Sequence, residues 1–241
     1  MIVLFTDFGV TGPYVGQMRA VLAREASGEP VIELFSDAPA FNAKASAYLR
    51  ASYCDKFAPG TVFLCVVDPG VGSTRDAVML EADGRWYVGP DNGLLALVTR
   101  RAKSARWWRI TWQPEALSAS LHGRDLFAPV VARLAQGRNV PGEPNDTVGR
   151  IGGDRPDELA EVIYLDHFGN AMTGMRAASL GPEARLAVAG HTLDRARIFS
   201  DVPKGVAFWY ENANGLAEIA VNSGRAEAVL NLPIGMNIEV K

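Results

Sequence analysis

Covalent or metal staples have little to work with in this chain. Its 241 residues include two cysteines, Cys54 and Cys65, too few for a disulfide framework or a four-cysteine zinc site. Both sit in apolar company (Ser-Tyr-Cys and Phe-Leu-Cys-Val-Val), so they read as buried free thiols in a reducing compartment, the cytoplasm. Neither sign of charge dominates: the net charge is −3, which argues against nucleic acid or an anionic membrane as the main partner. Charged residues make up 21% and apolar residues 48%, close to ordinary soluble domains, which excludes disorder and collagen-like structure. The amino-terminal run Met1-Ile-Val-Leu-Phe-Thr-Asp7 has no basic residue and meets an acid at once. It is expected to be neither signal peptide nor membrane span. Internal repeats and low-complexity tracts are lacking as well.

The first half alternates two periodicities. Ile2–Thr6, Val31–Phe35 and Thr61–Val67 are β-branched, apolar runs, whereas Tyr14–Ala26 and Asn42–Phe57 space their apolar residues three and four apart. Continuous apolar strands alternating with amphipathic helices predict a largely parallel sheet covered on both faces. A hairpin is expected over Ala77–Val88, turning at Asp83-Gly84. A helix should follow Pro90-Asp91-Asn92-Gly93, capped by Asp91 or Asn92, and another should run from Asp125 to Gln136. Residues 139–157 hold three prolines and four glycines and read as a linker. Beyond it, short runs at Val162–Asp166, Arg185–Ala189, Gly205–Tyr210, Ala217–Asn222 and Met236–Val240 alternate with turn residues. The expected architecture is thus an N-terminal α/β/α domain over 1–138 with a mostly parallel sheet, and a C-terminal all-β, barrel-like domain over 158–241.

In open α/β sheets, ligands bind outside the carboxyl ends of the strands. Asp7, Asp37 and Asp68 lie at or just past such ends. Spacing leaves metal ligand, sugar clamp, general base and simple turn capping all open for them. The loop Asp68-Pro-Gly-Val-Gly-Ser-Thr-Arg75 places two glycines where backbone can approach a ligand. Asp68 and Arg75 bracket that loop and can meet across it. It is no phosphate-cradling loop, because no Gly-Lys-Ser/Thr follows. His122, one of three histidines, opens a helix at His122-Gly-Arg-Asp125. It is a candidate for proton transfer or for capping, with Arg124 and Asp125 assigned to local pairing. Asp166-His-Phe-Gly-Asn170 offers a carboxylate, two rings and an amide, a set suited to an ammonium and an adenine or to a tight turn. Asp7-Phe8-Gly9 matches the kinase metal-binding tripeptide, but no kinase catalytic loop accompanies it. Trp107, Trp108 and Trp112 read as core or interface residues, with no basic interleaving for base stacking.

Six segments in register resemble the S-adenosylmethionine hydroxide adenosyltransferases, relatives of the adenosyl halide synthases fluorinase and chlorinase. They are Phe5–Gly9, Val66–Gly72 ending at Arg75, Gly89–Gly93, His122–Pro129, Asp166–Asn170 and Glu218–Asn222, and the likeness spans essentially the whole chain. The resemblance implies hydrolysis of S-adenosylmethionine: water attacks the ribose C5′, giving adenosine and L-methionine, without cofactor or metal. It implies a homotrimer with active sites between subunits. It places an Asp–Arg–His water-activating set on Asp68, Arg75 and His122, a set the halide synthases lack. Asp7 would accept the ribose hydroxyls and Asp166 would face the methionine ammonium. Phe168, Asn170, Asn222 and Ser223 would surround the adenine, with Phe8 also in the binding site. Two positions depart from the family pattern: Ala213 replaces a frequent serine, and Gly174 a frequent asparagine. The competing readings are a metal-dependent phosphohydrolase ligating through Asp7, Asp68 and His122, a non-catalytic adenosine or S-adenosylmethionine binder, and an adenosyl halide synthase.

Overall fold

The computed structural model describes residues 1–145 and 151–241, in two compact units, 1–154 and 155–241. The first unit contains β1 (Ile2–Thr6), α1 (Tyr14–Glu25), β2 (Val31–Phe35), α2 (Ala43–Ala51), β3 (Val62–Val66), β4 (Ala77–Ala82), β5 (Arg85–Pro90), α3 (Ala96–Arg101), β6 (Ala105–Ile110), α4 (Ala128–Ala135) and β7 (Gly142–Pro144). The strands form one seven-stranded sheet in the order β2-β1-β3-β5-β4-β6-β7. Strands β2, β1, β3 and β5 pair in parallel, and β4, β6 and β7 are added antiparallel in turn. All strands but β4 and β7 therefore point the same way.

Side-chain alternation explains the layers. Ile2 and Leu4 of β1 join Val62, Leu64 and Val88 on the face covered by α1 and α4. On the opposite face lie Phe5, Phe63 and Tyr87, and α2 brings the fully buried Arg50 guanidinium 3.9 Å from the Phe63 ring centroid and 4.9 Å from that of Tyr87. Arg50 also donates to the Sγ atoms of Cys65 (3.4 Å) and Cys54 (3.6 Å). Both thiols are free and buried, and burial pushes the Cys65 thiol up.

Local chemistry sets most boundaries. Asn42 caps α2, its Oδ1 accepting from Ala45 N at 2.9 Å. Asp83 and Gly84, both at positive φ, make the hairpin turn. Two boundaries differ from expectation. Leu95, without a side-chain cap, precedes α3; Asn92 instead accepts from Leu94 N (3.1 Å) and donates to Val67 O (2.7 Å), tying the turn to β3. The helix expected from Asp125 starts as a π-type turn over Gly123–Phe127 before α4. Of residues 139–157, Gly142–Pro144 form β7, held to β6 by backbone pairing and by Arg109–Glu143 at 2.6 Å. Residues 146–150 lie outside the described residues. Trp86 and Trp108 meet at 5.2 Å and, with Trp112, pack against the α1/α4 core.

The second unit comprises β8 (Leu159–Leu165), β9 (Ala171–Arg176), β10 (Leu186–Val188), β11 (His191–Leu193), β12 (Ala207–Glu211), β13 (Leu216–Val221), α5 (Ala226–Val229) and β14 (Glu239–Val240). Its two antiparallel sheets, β12-β13-β9-β8 and β11-β10-β14, enclose one core including Val162, Leu186, Trp209 and Ile219. Single bridges from Arg195 to Trp209 and from Asn237 to Glu161 link the sheets at both edges, so the layer closes like a barrel. β9 and β11 are additions to the strands expected; β9, Ala-Met-Thr-Gly-Met-Arg, lacks β-branched enrichment apart from Thr173.

Candidate active site

The topology singles out one crevice. From β1 the chain crosses through α1 to β2 on one side, and β3 then lies on the other side of β1. The carboxyl ends of β1 and β3 therefore flank a switch point, the place where open α/β sheets bind ligands. Asp7 follows β1 there and Asp68 lies just past β3, with Asp7 N donating to Val66 O at 3.4 Å. Exposed Asp37 follows β2, one strand further out.

The Asp68 carboxylate accepts a short bond from Arg75 Nη1 and a second from Gly70 N at 3.2 Å. Its side chain is 8% exposed and that of Arg75 29%. The bracketed loop closes because its glycines leave room. A Cβ on Gly70 would stand 2.5 Å from Arg75 Nη2, and one on Gly72, at φ +81°, would stand 2.6 Å from Ala119 O. The second contact packs the loop against the segment leading to His122.

A second contact holds that segment at Gly123. At Gly123 a Cβ would lie 3.1 Å from Met18 Sδ and 3.2 Å from the Phe8 ring. Phe8 also meets Tyr14 edge-on at 5.9 Å. His122 therefore sits between the Asp68 loop and the Asp7-Phe8 segment through backbone packing. Arg124 and Asp125 serve structure, as expected: Arg124 pairs with both Asp125 oxygens (2.5 and 3.0 Å) and with Gln17 Oε1 (2.7 Å), while Asp125 accepts from Ser118 N (3.0 Å). Arg124 above all holds the Asp125 carboxyl well below the usual range.

Asp7 is electrostatically different. Burial above all pushes its carboxyl up, the Phe41 N–H opposes the rise, and the Asp68 charge adds to it. Phe41 N donates to Asp7 Oδ2 at 3.0 Å, while Phe41 itself is 79% exposed at φ 60°. Sequence reasoning missed Phe41; an aromatic residue inside Pro-Ala-Phe-Asn was the available signal. Among the described residues no group of three or more His, Cys, Asp or Glu side chains is gathered to hold a metal.

The second unit holds the remaining candidates. Asp166, Phe168, Asn170 and Ser223 line an open cavity of about 620 Å³ together with Phe199 and Tyr210. Asp166 closes a turn, accepting from Asn170 N (2.8 Å) and Asn170 Nδ2 (3.0 Å). Phe168 is 71% exposed. Asn222 turns elsewhere, donating to Val202 O at 2.8 Å and accepting from Ser223 Oγ at 3.2 Å. Gly174 faces β8, where a Cβ would stand 2.6 Å from Leu159 Cβ, so a larger residue requires that strand to move. Ala213 lines a separate cavity with Arg195 and Glu211. Glu218 was passed over, although an acid in the buried run Leu216–Val221 marks itself.

A parallel-sheet unit with an acid–guanidinium pair at its switch point, joined to a β unit with an aromatic and carboxylate-lined cavity, defines a small-molecule enzyme class rather than a scaffold. Residues 2–142 match the SAM hydroxide adenosyltransferase N-terminal domain and residues 160–239 its C-terminal domain; the chain belongs to this family. It is 37% identical to the (R)-S-adenosyl-L-methionine hydrolase of Thermus thermophilus, covering 98% of this chain and 97% of the relative. It is 34% identical to the Salinispora arenicola enzyme of the same name, over 98% and 95%. An uncharacterized conserved protein from Thermotoga maritima superposes with a TM-score of 0.90 at 30% identity, covering both chains fully.

Proposed function

We propose that this protein hydrolyses (R)-S-adenosyl-L-methionine to adenosine and L-methionine. The observation that carries the reading is the Asp68–Arg75 pair beside Asp7 at the switch point, in a chain akin over its length to proteins named for that hydrolysis. The relatives' name fixes the methionine carbon as L, so R describes the sulfonium centre, and the same epimer is the substrate proposed here.

The chemistry suits the residues. Water oxygen bonds to C5′ as the C5′–S bond breaks, and the bonding pair goes to sulfur, which leaves as a neutral thioether. No acid is required for such a leaving group; the protein must align water and take its proton. Arg75 holds Asp68, and Asp68 or His122 accepts the proton. Asp7 accepts the ribose hydroxyls with its two oxygens, with Phe8 packed alongside. Asp166 meets the methionine ammonium, and Phe168, Asn170 and Ser223, which line one cavity, surround the adenine. No metal or other cofactor takes part.

The assembly proposed is a homotrimer in which Asp7 and Asp68 of one subunit act with Asp166 and Asn170 of a neighbour, because ligand-type residues divide between two units of the chain. The buried free thiols suit the reducing cytoplasm. No helix among the described residues is long and apolar enough to cross a membrane.

The test is incubation with each sulfonium epimer, without metal or halide, followed by chromatography. Adenosine and methionine in equal amounts, faster from the R epimer, is the expected result. S-Adenosylhomocysteine, or no product over long incubation, overturns it.

A further inference from the structure

Arg225 and Glu227 take no part in the hydrolysis proposed above, yet they hold the turn that carries Phe168. That turn joins β8 to β9 and is closed by its own ends. Asp166 N donates to Asn170 O at 3.0 Å, Gly169 N donates to Asp166 O at 3.0 Å, and the Asp166 carboxylate accepts from Asn170 N and Nδ2. Phe168 makes none of these bonds, and it is 71% exposed.

The hold comes from the segment that follows β13. Arg225 Nη1 donates to His167 O at 2.9 Å, and Glu227 N donates to Gly169 O at 2.9 Å. The two carbonyls flank Phe168 in the chain. The approach is close enough to require glycine: at Gly169, with φ +82°, a Cβ would stand 2.7 Å from Arg225 Cβ and 3.1 Å from its Cα. Glu227 Oε1 in turn accepts from Arg225 Nε at 2.9 Å and from Nη2. A guanidinium has five N–H donors in a rigid fork, so one side can be anchored on a carboxylate while another N–H serves the backbone. Arg225 and Phe168 line the same 620 Å³ cavity, together with Asp166 and Asn170.

We infer that Arg225 is a positioning residue for substrate binding: braced by Glu227, it clamps the backbone at His167 and so sets where the Phe168 ring stands in the cavity. The inference rests on the reading that Phe168 packs on the adenine. A ring held at both neighbouring carbonyls has little freedom left to lose when a ligand arrives, whereas a released ring must be ordered on binding. That cost falls on binding and not on the chemical step, because Asp68, Arg75 and His122 belong to the other unit of the chain.

The test measures adenosine binding by calorimetry in the full-length protein, with hydrolysis of S-adenosylmethionine followed separately. Adenosine is neutral, so the probe does not respond to the loss of a charge as such. Arg225→Ala keeps the Glu227 N bond to Gly169 O, so the turn should stay docked at one carbonyl and come free at the other. Adenosine affinity should fall ~5- to 10-fold, the scale of ordering one side chain. The substrate KM should rise by a similar factor while kcat stays within ~2-fold. In a Phe168→Ala background, Arg225→Ala should weaken adenosine binding by less than ~2-fold further, because the ring it positions is gone. A folded Arg225→Ala protein with wild-type affinity overturns the inference, as does a loss confined to kcat. A further ~5- to 10-fold loss in the Phe168→Ala background also overturns it, since Arg225 would then act independently of the ring. If wild type forms no adenosine and methionine while adenosine binding follows the expected pattern, the clamp stands and the proposed reaction falls.

Discussion

Gly70 offers a way to disturb the proposed water-activating pair without touching either charged residue. Its φ lies outside the positive range, so alanine is not strained by the backbone. The added methyl carbon would nevertheless stand 2.5 Å from Arg75 Nη2, 2.9 Å from Nη1 and 3.0 Å from Cζ. Those atoms need about 1 Å more to reach ordinary van der Waals separation. The guanidinium ends a flexible side chain that is 29% exposed, so it can swing outward and the fold should tolerate the change. The stability cost should stay near ~1 kcal/mol, the upper range for a partly exposed ion pair. The catalytic cost should be far larger, since misplacing a positioning group by about 1 Å costs on the order of 10²-fold in rate. Single-turnover release of adenosine, with melting temperature as a control, measures both. Gly70→Ala should lower the rate by ~10²-fold, and Arg75→Ala by at least ~10²-fold. In the double variant the methyl has no guanidinium left to displace, so its rate should lie within ~3-fold of Arg75→Ala alone. A wild-type rate in Gly70→Ala, or a further ~10²-fold loss in the double variant, would refute the reasoning.

His122→Ala should slow turnover by at least ~10²-fold while adenosine affinity is largely kept; a wild-type rate would remove His122 from the water-activating set. Because burial holds the folded Asp7 carboxyl above its ordinary 3.8, the folded state keeps that proton more tightly than the unfolded chain, and stability falls as pH rises through and above 3.8. Asp7→Asn should therefore raise the melting temperature more at pH 7 than at pH 3 while raising KM at least ~10-fold; equal shifts at both pH values would contradict the burial argument. An added Cβ at Gly89 would run into the Cys65 carbonyl oxygen between β5 and β3, so Gly89→Ala should destabilise by ~1–3 kcal/mol or more in denaturant titration, and an unchanged midpoint would show that the strands can part. Light scattering should find a trimer; a fully active monomer would dismiss shared sites.

The layered half of this protein was legible because burial writes a period into the chain. Ile2–Thr6 and Val31–Phe35 were bounded to the residue, and α1 and the Asp83-Gly84 turn fell close to expectation. β7 was not legible: Gly142-Glu143-Pro144 carries no apolar pattern, and only backbone pairing to β6 makes it a strand. The same holds for Asn92, whose capping chemistry was recognisable while its partner, Val67 O just past β3, was not.

At the site the division is similar. The types and order of Asp7, Asp68, Arg75 and His122 were present in the chain, since acids past apolar runs and glycines in a charged loop leave a linear trace. Which groups touch was decided by tertiary structure. Sheet order, in which β3 lies against β1, brings Asp7 near Asp68 and pushes its carboxyl up. Close packing of Gly72 on Ala119 and of Gly123 on Phe8 brings His122 to the same edge. Glu218 shows the limit most clearly. Its position in an apolar strand marks it as unusual, but its partners, Tyr210 at 2.6 Å on β12 and Asn212 at 2.7 Å just past it, are set by the pairing of β12 with β13. Periodicity records which side of an element is buried; hydrogen bonds between elements depend on register and sheet order, which no local window of residues contains.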